Sequence, residues 1–281
     1  MSSGKTRIAP TPSGFLHEGN VYAFLRTAQL AEQHGWRLRL RIDDLDRSRF
    51  RQAYLEDVFA VLATLGIQWK DGPRDAADFL AHYRQELRLP LYQSYLQQLR
   101  DAGWVYACSC SRSQLAGHPH YPGTCRHKQL PLNDPNLHWR LRLPEDAAVQ
   151  LLDLQGMAQT INLGGLLGDP VVLRKAENGI RWPAYHLACV ADDVLYETTH
   201  IVRGKDLYDS TLIQLYLAQC LGLTAFTQIR FEHHPLLTTP DGRKLSKSAG
   251  DHKGRSLLDF YPSQAALLAL VSQWLGHNDS F

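Results

Sequence analysis

The order of elements across residues 7–42 restricts this chain more than any other feature. A short strand around Arg7 to Ala9 runs into a Pro/Gly loop, a helix follows from about Asn20 to Gln33, and a second strand spans Arg37 to Ile42. That second strand alternates strictly, with Leu38, Leu40 and Ile42 on one face and Arg37, Arg39 and Arg41 on the other. Such a period of two places one face in the core and leaves the other basic. Two strands joined through a helix pair in parallel by a right-handed crossover, so the opening reads as a Rossmann-like βαβ unit. With 281 residues, 44% of them hydrophobic, the chain buries enough surface for one large domain or two moderate ones.

Helical patterns at about 52–65 and 83–102 precede a Cys/Pro/His-rich stretch that opens at GWVYACSC and carries strand-like runs at 139–143 and 171–175. Three of the five cysteines, Cys108, Cys110 and Cys125, crowd into it, a spacing that points to metal, whereas Cys189 and Cys220 lie in apolar helical patterns and read as core. Helix and strand then resume at 184–190, 199–202, 209–220 and 229–233. The order predicts an α/β chain: a split Rossmann-like nucleotide-binding fold with an inserted zinc-binding subdomain and a short helical C-terminal segment. Expected boundaries are 1–104 and 179–235 for its two halves, 105–178 for the insertion, and 236–281 for a loop and C-terminal helices. No internal repeat is present in the sequence.

The start, MSSGKTRIAP, lacks the apolar core of a secretory signal, which predicts a cytoplasmic protein with reduced cysteines. No apolar run is long enough for a membrane span. A net charge of +2 is too small to announce nucleic acid, although basic residues can concentrate on one face. About fifty residues follow the last strand, too few for a further RNA-reading domain, and a monomer is expected.

In RIAPTPSGFLHEGN, prolines and glycine shape a loop, and the helix behind it offers backbone N–H groups to phosphate. His17 and Asn20 sit at that mouth, where a histidine donating to phosphate oxygens would stabilise charge as it builds. Near the other end of the chain, GRKLSKSAG carries Lys244 and Lys247 three residues apart, able to converge on one triphosphate, with glycines that let the loop close. Each motif alone also describes a capped helix or a basic surface loop. The pair is far more specific.

LHEGN and KLSKS, set on either side of a split Rossmann-like pattern, resemble the two signature motifs of class I aminoacyl-tRNA synthetases. RIAPTPSGFLHEGN, RIDDLD, LGIQWKDGP, YHLACVADD, THIVRGKDL and KLSKS follow in the order and spacing of the glutamyl-tRNA synthetase family, over nearly the whole chain. The resemblance implies a ligase that joins ATP to glutamate, with His17 and Lys247 catalytic. It places His17, Gly19, Asn20, Lys244, Ser246 and Lys247 at ATP, with Mg2+ expected. It also implies a glutamate pocket of Arg7, Ala9, Pro10, Thr11, Asp43, Tyr185 and Arg203. The fork of Arg7 suits the side-chain carboxylate, and Asp43 suits the ammonium. Three positions depart from the pattern: Asp43 stands where glutamate is usual, Lys205 where a glutamate usually follows the Arg-Gly pair, and Glu18 where an apolar or aromatic residue is usual.

The three cysteines leave one ligand of a tetrahedral zinc to find. Chemistry favours His118, His120 or His127, whereas resemblance to the short glutamyl-Q tRNA(Asp) synthetases nominates Tyr121, with the ion in a structural role. That resemblance implies L-glutamate, ATP and tRNA(Asp) bearing queuosine as partners, with glutamate activated in the absence of tRNA. Two rival readings are a shortened glutamyl-tRNA synthetase charging tRNA(Glu) and a non-catalytic RNA-binding paralogue. The run Arg37, Arg39, Arg41, Arg47, Arg49 and Arg51 offers RNA phosphate contacts, interleaved with Asp43, Asp44 and Asp46.

Overall fold

A computed structural model describes residues 4–111, 113–235 and 254–275; Lys244, Ser246 and Lys247 lie outside the described residues. In chain order the elements begin with β1 (Lys5–Ile8), α1 (Glu18–Gln33), β2 (Arg37–Leu40), α2 (Gln52–Thr64), α3 (Ala76–His82) and α4 (Leu89–Asp101). Next come β3 (Val105–Cys108), β4 (His138–Leu141), β5 (Ala148–Asp153), β6 (Ala158–Asn162) and β7 (Val171–Leu173). The last are α5 (Tyr185–Leu195), β8 (His200–Gly204), α6 (Tyr208–Cys220), α7 (Thr224–Thr227), β9 (Arg230–His234) and α8 (Gln264–Leu275). The chain divides into two compact units: Met1–Leu87 with His200–Leu207 and Phe231–Phe281, and Arg88–Thr199 with Tyr208–Arg230.

In the first unit β1 and β2 pair in parallel, from Lys5 opposite Arg37 to Ile8 opposite Leu40, with α1 as the crossover. Thr6, Arg7 and Ile8 are all buried, as befits a parallel strand covered on both faces. β8 lies against β1 and is a hydrogen-bonded neighbour of β9. The core joins Ile8, Val21, Phe24 and Leu40 to Leu55, Val58 and Leu62 of α2, Phe79 of α3, and Leu267 and Val271 of α8. The LGIQWKDGP segment runs along β2, where Lys70 N–H donates to Leu38 O and Leu40 N–H to Asp71 O, both at 2.9 Å. Gly72, at φ 106°, ends that contact, and a Cβ there would sit 2.0 Å from Leu40 O. No other residue fits.

Two expectations for this region need correction. Arg41 is buried, not part of an open basic face, because its guanidinium pairs with Asp43. Of the others, Arg37 and Arg39 pair with Asp71, Arg47 with Glu86 and Arg49 with Asp46, while Arg51 donates to the carbonyls of Ser48 and Phe50. Asp43 and Asp46 come from within the run, Asp71 and Glu86 from outside it. The helix expected over 83–102 is divided between a 3-10 turn, Gln85–Arg88, and α4, with α3 as a further helix ahead of them. Pro90 lies in the first turn of α4, where its missing N–H costs nothing.

The second unit holds an antiparallel sheet in the order β3–β4–β7, with Val105 opposite Leu141 and Cys108 opposite His138. It also holds the β5–β6 hairpin, Ala148 opposite Asn162 through Leu152 opposite Ala158. Its helices bury Leu187, Val190 and Ala191 from α5 and Leu212, Leu215 and Leu217 from α6. Among the described residues no helix is long and apolar enough to cross a membrane.

Candidate active site and candidate metal centre

His17 is the N-cap of α1, with extended backbone. Its Nδ1 accepts the N–H of Gly19 at 3.1 Å, and Asn20 Oδ1 accepts the N–H of His17 at 3.1 Å, a reciprocal capping box. A neutral imidazole that accepts through Nδ1 carries its hydrogen on Nε2. The cap therefore selects the tautomer that donates from the ring's outer nitrogen. The Gly19 N–H at this helix mouth is thereby engaged by the cap. Glu18, buried in the first turn, lies at the positive end of the helix dipole, a physical reason for a carboxylate at an otherwise apolar position.

The loop after β1 is stitched to the segment after β2. Arg41 N–H donates to Ile8 O and Asp43 N–H to Pro10 O, each at 2.9 Å. This draws the Ala9-Pro10-Thr11 turn against Asp43. The Asp43 carboxylate takes Arg41 Nε at 2.8 Å and Nη2 at 3.0 Å, a bidentate pair shielded from solvent. Asp44 accepts Gln85 N–H at 2.8 Å while Gln85 Oε1 accepts Leu45 N–H at 3.1 Å, fixing the RIDDLD loop. Arg7 and Arg203 are both buried one residue before the ends of β1 and β8, and Arg203 Cζ lies 5.2 Å from the Phe231 ring centre. Burial, with Arg203 and His234 adding to it, pulls the nearby His233 imidazole down to about 4, so it stays neutral near pH 7.

Two groups of this unit carried no signal in the sequence. Arg41 reads as a solvated strand residue until its pairing is seen. Asp57, one acid on the buried side of α2, accepts Leu16 N–H at 3.0 Å through Oδ2, while the Ser256 hydroxyl donates to its other oxygen. Burial raises the pKa of this carboxyl. It ties the loop before His17 to the turn that follows the KLSKS segment.

The second unit carries the thiols and Tyr185. The Sγ atoms of Cys108, Cys110 and Cys125 all lie within 4.8 Å of one another. The Tyr121 hydroxyl is 3.4 Å from Cys108 Sγ and 3.9 Å from Cys110 Sγ, and it accepts Cys125 N–H at 2.8 Å. His118, His120 and His127 are exposed and outside the thiol group. Burial pushes the Cys125 thiol upward, but the Ser109 N–H and hydrogen bonds with Tyr121 and Cys110 bring it down to about 6. Three soft donors and a phenol oxygen around one point suit a tetrahedral metal ion. Beside them opens a cavity of about 520 Å³ whose lining includes Tyr121, Arg140, Asp169, Tyr185, His186 and Asp209. Tyr185 starts α5, half exposed, with its ring centre 5.3 Å from that of His186.

Residues 4–256 match the family of class I tRNA synthetases (E and Q), catalytic domain. The glutamyl-Q tRNA(Asp) synthetase of Pseudomonas aeruginosa is 40% identical over 248 residues, covering 88% of this chain and 78% of its own. That of Symbiobacterium thermophilum is 41% identical over 267 residues, covering 87% and 78%. Among solved structures, the glutamate-tRNA synthetase of Elizabethkingia anophelis superimposes with a TM-score of 0.70 at 26% identity over 89% of this chain; the chain spans 54% of that protein. The chain is a class I tRNA synthetase-like ligase and belongs to the glutamyl-Q tRNA(Asp) synthetase family.

Proposed function

We propose that this chain makes glutamyl-adenylate from L-glutamate and ATP without needing tRNA, then passes the glutamate to queuosine in the anticodon of tRNA(Asp). The observation that carries the reading is a donor-selecting His17 cap in the same unit as buried Arg7, Asp43 and Arg203, in a chain with relatives of that name. In the first step an oxygen of the glutamate α-carboxylate attacks the α-phosphorus, and the bond to the bridging oxygen breaks to release pyrophosphate. His17 Nε2–H and Lys247, with Lys244, stabilise the charge that develops, and Gly19, Asn20 and Ser246 complete the ATP contacts. Arg7 and Arg203 hold the glutamate carboxylates, the Ala9-Pro10-Thr11 turn lines the pocket, and Asp43 takes the ammonium. Sharing with Arg41 tempers the charge of Asp43, and the shorter side chain sets a tighter reach. Tyr185, in the second unit, is proposed for the same ligand on its motif position alone.

In the second step a hydroxyl oxygen of the queuosine cyclopentenediol attacks the adenylate carbonyl, its proton leaves to the phosphate, and AMP departs. Zn2+ on Cys108, Cys110, Cys125 and Tyr121 would supply a fixed node for the loop and no reactive water. Mg2+ accompanies ATP as counter-ion, and the protein acts as a cytoplasmic monomer.

The deciding experiment supplies labelled glutamate and ATP with either queuosine-bearing tRNA(Asp) or tRNA(Glu). Label on the first alone is expected; label on tRNA(Glu) alone refutes the acceptor and supports a shortened glutamyl-tRNA synthetase. ATP–pyrophosphate exchange with glutamate and no RNA should proceed in the wild type and collapse in Lys247→Ala. Wild-type exchange in that variant refutes the assignment of Lys247.

A further inference from the structure

We propose that Gly168 and Arg140 are positioning residues that hold the Tyr121 phenol on the thiolate cluster before any metal arrives. The proposal rests on the reading of that cluster as a metal site. Gly168 acts through contact of backbones. A Cβ at this position would come within 2.6 Å of Tyr121 N and 2.7 Å of Tyr121 O, distances that no side chain tolerates, so only glycine lets the Tyr121 peptide settle there. The next residue, Asp169, anchors this seat. Its buried carboxylate takes the Tyr106 hydroxyl at 2.5 Å, Arg126 Nε at 2.9 Å and Leu143 N–H at 2.8 Å. Asp169 thereby joins β3, the residue that follows Cys125, and the end of β4's run to one point.

Arg140 of β4 packs on the ring itself. The guanidinium carbon lies 3.6 Å from the Tyr121 ring centre, Nη1 donates to Asp169 O at 2.6 Å, and Nε donates to Cys108 Sγ at 3.2 Å. One planar cation therefore stacks on the fourth donor, binds a sulfur donor, and leans on the seat. Three thiolates around a divalent ion leave a net negative site, which a buried arginine offsets while its N–H···S bond orients the sulfur. With the peptide seated by Gly168 and the ring clamped by Arg140, the phenol oxygen has little freedom except toward Cys108 and Cys110. The same two residues line the cavity that opens beside the cluster.

Cobalt(II) substitution tests this, because a thiolate charge-transfer band reports the sulfurs, the ligand-field band reports the fourth donor, and chelator competition gives affinity. Gly168→Ala should keep the charge-transfer band, move the ligand-field band to that of Tyr121→Phe, and lose about 10- to 100-fold in affinity. In the double variant Gly168→Ala, Tyr121→Phe the loss should not exceed that of Tyr121→Phe alone, since a seat acting through Tyr121 has nothing left to position. Arg140→Gln, which removes the charge and the stack but makes no clash, should shift the same band. Wild-type spectrum and affinity in both Gly168→Ala and Arg140→Gln, or additive losses in the double variant, would overturn the proposal. Failure of the wild type to take up Co2+ or Zn2+ would instead overturn the metal reading beneath it.

Discussion

The imidazole of His17 has two uses that one substitution separates. Nδ1 caps α1 by accepting the Gly19 N–H, and Nε2–H is the donor proposed for phosphate. Alanine removes both and so confuses a lost cap, worth about 1 kcal/mol, with lost chemistry. Asparagine is among the best N-cap residues but cannot reach where Nε2 reaches. His17→Asn should therefore unfold at the wild-type denaturant midpoint yet lose about 10²- to 10³-fold in glutamate-dependent pyrophosphate exchange, the usual cost of removing one preorganised donor. A variant with wild-type exchange would place His17 in the cap alone. The residues that sequence left unread are of a different kind. Arg41, Asp57, Arg140 and Asp169 matter through partners, and most of those partners are remote in sequence: Leu16 and Ser256 for Asp57, Cys108 for Arg140, Tyr106 for Asp169. Nothing local marks such a residue, whereas a cap such as His17 is written within four positions.

Elements whose signal is local were legible. β1, α1, β2, α2, α5, α6, β8 and β9 lie within a few residues of the spans expected from periodicity and Pro/Gly punctuation, because both signals act over one or two turns. The β5–β6 hairpin was not separated: β6, AQTIN, is largely exposed on both faces, so alternation had nothing apolar to report. α5 shows a second limit. Its Asp192, one of two adjacent acids in a largely apolar helix, is fully buried and takes Arg88 Nε at 2.7 Å, Arg88 Nη2 at 3.0 Å and the Tyr92 hydroxyl at 2.7 Å. This triad joins the turn before α4, α4 itself and α5. Removing the acid leaves Arg88 charged and buried, so Asp192→Ala should cost roughly 3–5 kcal/mol in chemical denaturation. Replacing the triad by apolar residues of similar volume should cost far less, since a buried pair is weak evidence of net stability. A loss under 1 kcal/mol in the single variant would show that Arg88 finds another partner.

At the scale of the whole chain, the two units divide the work in a way that metal removal can expose. The proposed adenylation residues His17, Arg7, Asp43 and Arg203 lie in the first unit, and every thiol of the cluster lies in the second. A metal bound only by the folded second unit stabilises it by mass action, by about 4 kcal/mol when free metal stands a thousandfold above its dissociation constant. Its ligands must shed protons to bind it, but Cys125, held near 6, has already done so at pH 7.5. Loading zinc at that pH should therefore release fewer protons than there are ligands bound, and acidifying toward pH 6 should raise the count as Cys125 takes up its proton. Stripping the metal with a chelator should then deprotect the amides of β3 and β4 in hydrogen exchange, because those strands carry Cys108 and Arg140. The amides of β1 and β2 draw their protection from a parallel pair and a core that contain no metal donor, and should exchange at unchanged rates. Pyrophosphate exchange, whose proposed residues include none of the metal ligands, should outlast chelation, while transfer to RNA tests whether the second unit's loop must be in place. Equal deprotection of β1 and β3 would show instead that the two units unfold together, and that the cluster supports the whole chain.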